Sequence, residues 1–333
     1  MKQRNAALDA LRVIFTAVVV LHHSGLHGGV LARGYMAVEF FFFVSGWLLA
    51  ASCRSRAQEG TAAYMRRRLL QLYPPYLLAF LMMAGLTAFT GQRFPYTTAY
   101  APALEALLLQ NIGLPGGGGV NYPLWYLSVL VTASPFLHAA YRRADRRVFR
   151  GAAIGVIAAV YACLIAGGGV EHWDNVLLVL YPPFWRGAAD LLAGMLLYDL
   201  SDRFAAPAPR LETGAAIASA VLIILPGPRL LDFPCAAALF LLLFAVTRPG
   251  ARLAQRQGGR VLGFLARVQY AAFLLHAPVI VLVRALFSQP PRAALPYPVY
   301  VAVLFALLLA LAAGLTALTD ALRGRIVRRR AAQ

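Results

Sequence analysis

Apolar runs of about 20 residues, each long enough to cross the roughly 30 Å hydrocarbon core of a bilayer, recur along the whole chain with polar breaks between them. No other feature constrains the fold as tightly, because uncharged runs of this length read as transmembrane helices. Ten are predicted, at 8–24, 36–53, 72–90, 124–141, 151–168, 184–200, 212–226, 231–247, 268–287 and 297–319. Pro182, Pro183 and Pro226 blur the ends of the sixth and seventh. Composition agrees: 60% of the 333 residues are hydrophobic, 13% are charged and the mean hydropathy is +0.66, far from an ordinary soluble domain. The expected fold is all-α, a polytopic membrane bundle of ten helices, with residues 1–333 forming a single domain and no repeat, low-complexity segment or appended soluble domain.

A formal net charge of +18 raises nucleic acid as a partner, but the distribution of the charge argues for topology. With the amino terminus cytoplasmic and the loops assigned alternately, 24 of the 31 Lys and Arg fall on one side. The other side holds six: Arg33, Arg93, Arg186, Arg229, Arg284 and Arg292. This is the positive-inside bias, and it predicts that both ends of the chain are cytoplasmic. Attraction to anionic lipid is a secondary consequence.

Cys53, Cys163 and Cys235 are scattered through apolar context and suggest neither a disulfide framework nor a metal site. Asp9 and Arg12 interrupt the first apolar run and no cleavage motif follows it, so that run reads as a retained span rather than a signal peptide. Between the third and fourth spans, a short amphipathic helix is expected over 103–111, ahead of the glycine run 116–119. That run lacks the Lys-Ser/Thr of a phosphate-binding loop and reads as a flexible outer loop.

The first span, LDALRVIFTAVVVLHHS, carries groups that hydrocarbon penalises. An ionisable residue in a span is a functional hypothesis by default, an arginine at a helix centre costing about 2.5–3.5 kcal/mol; Arg12, one turn from the boundary, can instead snorkel. Residues 11 apart on a helix differ by about 20° around the axis and roughly 16 Å along it, so Arg12, Thr16 and His23 share a face while His22 points about 80° away. Glu39 sits near the depth of His23 in the second span, where a carboxylate can fix an imidazole tautomer for general-base work; the competing reading is a carboxylate in boundary water. His23 and His27 have the i, i+4 spacing of a zinc pair without a convincing third ligand. Ser45 is either a nucleophile or, with Gly46, a close-packing pair. Trp125, Tyr126, Tyr181 and Trp185 fit an interfacial aromatic belt, Arg186 and Asp190 a structural i, i+4 pair, and His276 a cavity-lining or packed histidine.

Arg12 followed after ten residues by His23 resembles the signature of the acyltransferase family 3 membrane proteins, which move acyl groups onto sugars of surface polysaccharides and related acceptors. GYMAVEFFFFVSGWLL, RRRLLQLYPPY, PLWYLSV, RGAADLLAGMLL and VQYAAFLLHAP resemble further segments of that family in its order, covering nearly the whole chain. The resemblance implies His23 as the catalytic histidine and Arg12, Arg67 and Arg68 as contacts to an acyl-CoA donor; beside it, Glu39 is expected to orient His23, and Trp125, Tyr126 and His276 are expected as substrate-binding positions. Gln71 stands where an arginine is common, and Leu130 and Val131 where many members have acidic residues.

The expected activity is O-acyl transfer, with acetyl as the group, from acyl-CoA to a hydroxyl of a carbohydrate or glycolipid at a bacterial inner membrane. No tightly bound cofactor, metal or nucleic acid is expected. A glycolipid or oligosaccharide transporter is the alternative, with Arg12, His23 and Glu39 as a proton or anion pathway; the missing inverted repeat counts against it. A non-catalytic scaffold leaves the cost of Arg12 unexplained.

Overall fold

The computed structural model describes residues 5–25, 30–91, 93, 98–112, 119–171, 182–201, 203–204, 208–253, 258–287 and 296–331. Among them are eleven α-helices, three short 3₁₀ turns and no strand. The helices are α1 (Ala6–Ser24), α2 (Ala37–Ser55), α3 (Thr61–Phe89), α4 (Ala101–Ala106), α5 (Trp125–Arg143), α6 (Arg146–Ala166), α7 (Pro182–Ser201), α8 (Pro209–Ile224), α9 (Asp232–Thr247), α10 (Arg260–Leu286) and α11 (Tyr297–Ala331). All except α4 coincide with expected spans. Seven are long and apolar enough to cross a membrane, counting α2 and α9 with their leading 3₁₀ turns: α1, α2, α3, α6, α9, α10 and α11. The others fall short for visible reasons: α8 has only 16 residues, while α5 buries Ser128, Ser134 and His138 and α7 buries Arg186, Asp190 and Asp199 inside the protein, where intramembrane polar groups find partners.

The centre of the bundle is α2. Its first ten residues, 37–46, are all buried, including Phe40, Phe41, Phe42 and Phe43, as expected of a helix apolar on every side. Its closest neighbour is α7: a methyl group added at Gly46 would overlap the Leu191 carbonyl, and one at Gly194 the Phe43 carbonyl. Small residues on both faces thus let two backbones touch. This settles the Ser45-Gly46 pair in favour of packing for the glycine, while the serine does something else.

Helix prolines recruit side chains from distant elements. Pro75 cannot donate to the Gln71 carbonyl, which accepts from Arg323 of α11 at 2.6 Å instead. Pro278 likewise frees the Leu274 carbonyl, which accepts from the Asn121 amide at 3.4 Å. Such replacement bonds are what make proline tolerable in a membrane helix, and the second ties α10 to the loop before α5. Pro182, Pro183 and Pro209 are among the prolines that sit in first helical turns, where the missing donor is harmless.

The helix expected over 103–111 stops at Ala106. Tyr76 donates to the Glu105 carbonyl and Tyr73 to the Ala106 carbonyl at 3.0 Å, occupying acceptors that a continuing helix would use. Leu108 then takes a left-handed conformation with φ 61°, the one non-glycine residue with positive φ among those described, and its side chain is fully buried.

Candidate active site

Helix α1 ends immediately after its histidines. Gly25, at φ 69°, closes the last turn by donating to the His22 carbonyl, a conformation glycine adopts without a Cβ penalty. Arg284 of α10 donates to the Ser24 carbonyl at 3.0 Å, clamping that end of α1 to α10. His23 is thereby held against His276: Nδ1 of His23 and Nε2 of His276 are 2.9 Å apart, and the rings stack at 5.0 Å.

The network assigns the tautomers. His276 is completely buried, and its Nδ1 lies 2.5 Å from the Phe273 carbonyl, which can only accept. In a neutral ring that leaves Nε2 of His276 as an acceptor, so Nδ1 of His23 donates to it. Nε2 of His23 then carries the free lone pair. This is the orientation a general base requires, produced by a second imidazole and a backbone carbonyl.

His23 opens into a cavity of about 360 Å³ that is also lined by His22, Tyr35, Gln110, Tyr122, Trp125, Glu171 and Arg186. The Tyr122 ring meets His23 edge-on at 5.5 Å. Contrary to expectation, His22 also reaches this cavity, against Tyr35, because the space spreads around the end of α1. Its phase still keeps it from His276. Burial pushes the Glu171 carboxyl above its ordinary range, with Arg186 and Arg229 opposing the shift.

Glu39 does not partner His23. Among the described residues its hydrogen bonds come from Arg186, which also donates to the Val170 carbonyl at 3.0 Å; both side chains are buried. The expected Arg186–Asp190 pair is replaced by this contact, and Asp190 accepts from Tyr161 at 2.6 Å. The depth of Glu39 in its span set it level with His23 but could not show that α7 delivers Arg186 to it.

A second cavity, about 140 Å³, contains Arg12, Ser45, Arg68, Tyr126, Gln269 and Tyr270 in its lining. Arg12 donates to Gln269 Oε1 at 2.9 Å, Gln269 Nε2 donates to Thr16 Oγ1 at 2.7 Å, and Thr16 donates to the Arg12 carbonyl at 2.9 Å. Gln269 was missed by the sequence reading; a glutamine within an apolar α10 was the available signal. Tyr126 and Ser45 hydroxyls are 2.5 Å apart, and Tyr126 is also 3.2 Å from the Phe41 carbonyl. Trp125 and Tyr126 are buried in the core rather than belted at an interface, and as successive residues they line different cavities.

The two expected donor arginines on α3 separate. Arg68 lines the second cavity, and its buried Nε has no hydrogen-bond partner among the described residues. Arg67 instead grips Glu59 with Nε at 2.8 Å and Nη2 at 2.7 Å, and reaches Ser52 at 3.0 Å. Those bonds hold the Glu59 carboxyl below its ordinary range. Phe273 lines both cavities, its ring 5.7 Å from Phe41 and 5.8 Å from Tyr126. His27 and Tyr181 lie outside the described residues.

These helices and this pair of cavities define a multi-helix membrane protein with an oriented histidine in one of two differently lined chambers that share Phe273. The chain belongs to the acyltransferase 3 family, whose profile, described as an acyltransferase domain, matches residues 5–317. It is an acyltransferase that transfers groups other than aminoacyl groups. It is 26% identical over 308 residues to a protein of Komagataeibacter xylinus described as the membrane-bound transacylase BcsY, covering 84% of this chain and 74% of that one. Acyltransferase MdmB of Streptomyces mycarofaciens is 31% identical over 135 residues, 38% of this chain and 34% of its own. Protein 2 in the picA locus of Rhizobium radiobacter is 34% identical over 87 residues, 25% and 46% of the two chains. No solved structure matches.

Proposed function

We propose that the chain transfers an acyl group, acetyl in the simplest case, from acyl-CoA to a hydroxyl of a carbohydrate or glycolipid, at a bacterial inner membrane that it crosses ten times with both termini cytoplasmic. The observation that carries this is the chain of bonds from the Phe273 carbonyl through His276 to His23, which leaves one imidazole nitrogen basic beside a cavity large enough for a sugar ring. The polyanionic donor docks at the basic cytoplasmic end, where Arg12 and Arg68 line the smaller cavity, and its narrow arm brings the thioester past Phe273. Nε2 of His23 takes the acceptor's hydroxyl proton as the oxygen attacks the thioester carbonyl. The tetrahedral intermediate collapses with cleavage of the C–S bond, and the proton on His23 passes to the departing thiolate, giving ester and free CoA. Glu39 acts at one remove, fixing Arg186 on the cavity wall.

The test is incubation of purified protein in lipid with radiolabelled acetyl-CoA and the glycan fraction from cells lacking the gene. Label on the glycan together with glycan-dependent CoA release is expected. Movement of glycan across the membrane without CoA release would establish a transporter instead.

A further inference from the structure

Among the described residues, an unpartnered buried amide lies in the turn after α4. Gln110 lines the His23 cavity, and among the described residues neither Oε1 nor Nε2 of its amide has a hydrogen-bond partner although both atoms are buried. Burying both ends of a primary amide without partners is costly, and a packed core would have replaced it with an apolar residue.

The backbone leading to Gln110 carries a second cost. Leu108 holds φ 61°, a region that penalises any residue with a Cβ. The turn is over-determined: the Leu108 side chain is fully buried, Leu109 donates to the Leu104 carbonyl at 2.7 Å, and Asn111 donates to Ser128 at 3.2 Å. Strain kept in place by so many contacts is characteristic of functional sites. Its effect here is to end α4 early and present Gln110 to the cavity, whereas a continued helix would have carried it elsewhere.

We propose that Gln110 reads the acceptor: its amide bonds two neighbouring hydroxyls of a sugar ring and thereby selects which remaining hydroxyl faces His23. The chemistry fits, since a primary amide places an acceptor and a donor side by side, and a vicinal diol offers the complementary pair. Tyr122 and Trp125, in the same cavity, supply apolar faces. This assignment rests on the acyl-transfer reading above.

The experiment titrates acyl transfer from radiolabelled acetyl-CoA to the glycan fraction of cells lacking the gene, using full-length protein in lipid. Gln110→Leu is expected to raise the glycan concentration for half-maximal transfer by about tenfold or more, the cost of an unmatched hydrogen-bonding group. The half-saturating acetyl-CoA concentration stays within about twofold on the same grounds. Gln110→Asn, which keeps the amide but shortens its reach, is expected to shift the same parameter and, being polar, serves if the leucine variant does not fold. An unchanged glycan titration in both variants overturns the proposal, as does a parallel change in the donor titration, which marks a structural role. Wild-type protein that transfers no label removes the acyl-transfer reading itself, an outcome distinct from active protein indifferent to Gln110.

Discussion

The His23 cavity and the Arg12 cavity share the side chain of Phe273 and differ in most other respects. The larger is walled by aromatic rings, two amides and a carboxylate, with one arginine whose charge is already matched by Glu39. The smaller is edged by two arginines, one of them with an unengaged Nε. A lining of amides and rings suits a substrate of many hydroxyls, and a lining edged by arginines suits a polyanion. On the proposed reading, binding of the two reactants is divided along the axis of one helix, α1, with the imidazole of His23 at one end and the guanidinium of Arg12 at the other.

Four perturbations break or sharpen that contrast, in descending order of expected effect. Arg186→Met strands Glu39 as an uncompensated buried charge and is expected to cost about 3–5 kcal/mol of stability, read by thermal melting in detergent. Adding Glu39→Gln should recover most of the lost stability; a double variant as unstable as Arg186→Met would contradict the pairing. Next, His276→Leu removes the acceptor for His23 Nδ1–H and is expected to lower maximal transfer about tenfold to a hundredfold with both half-saturation concentrations unchanged. His276→Gln, whose amide oxygen can accept, should restore part of it. At the other cavity, Arg68→Ala is expected to raise the half-saturating acetyl-CoA concentration about tenfold, and Arg67→Ala to act through stability instead; equal donor effects would dissolve the distinction between them. The smallest effect is at Glu59. Because Arg67 lowers its folded pKa, the ion pair stabilises above the ordinary carboxylate value of about 4.3 and fades as pH falls through the lower folded value. The melting difference between wild type and Glu59→Gln should therefore stay flat from pH 8 to about pH 5, be on the order of 1 kcal/mol for this partly buried pair, and shrink only in stronger acid.

What could be read from the sequence was what one helix determines alone. Apolar length located the long helices, and helical phase set His23, which meets His276, apart from His22, which meets Tyr35, although both reach one cavity. Partners across helices were not legible. Nothing in the spacing of Glu39 signals that α7 delivers Arg186 to it, and nothing in RRR distinguishes Arg67, turned toward Glu59, from Arg68, turned toward a cavity. The early end of α4 was hidden for the same reason, because the hydroxyls that stop it come from Tyr73 and Tyr76 on α3.

The most direct test of the division of labour compares His23→Ala with His22→Ala, both confirmed as folded by their melting curves, for acyl transfer from radiolabelled acetyl-CoA to the glycan fraction. The account predicts that His23→Ala loses transfer by about a hundredfold or more while His22→Ala, from the same cavity, keeps most of it. Full transfer by folded His23→Ala would contradict the account.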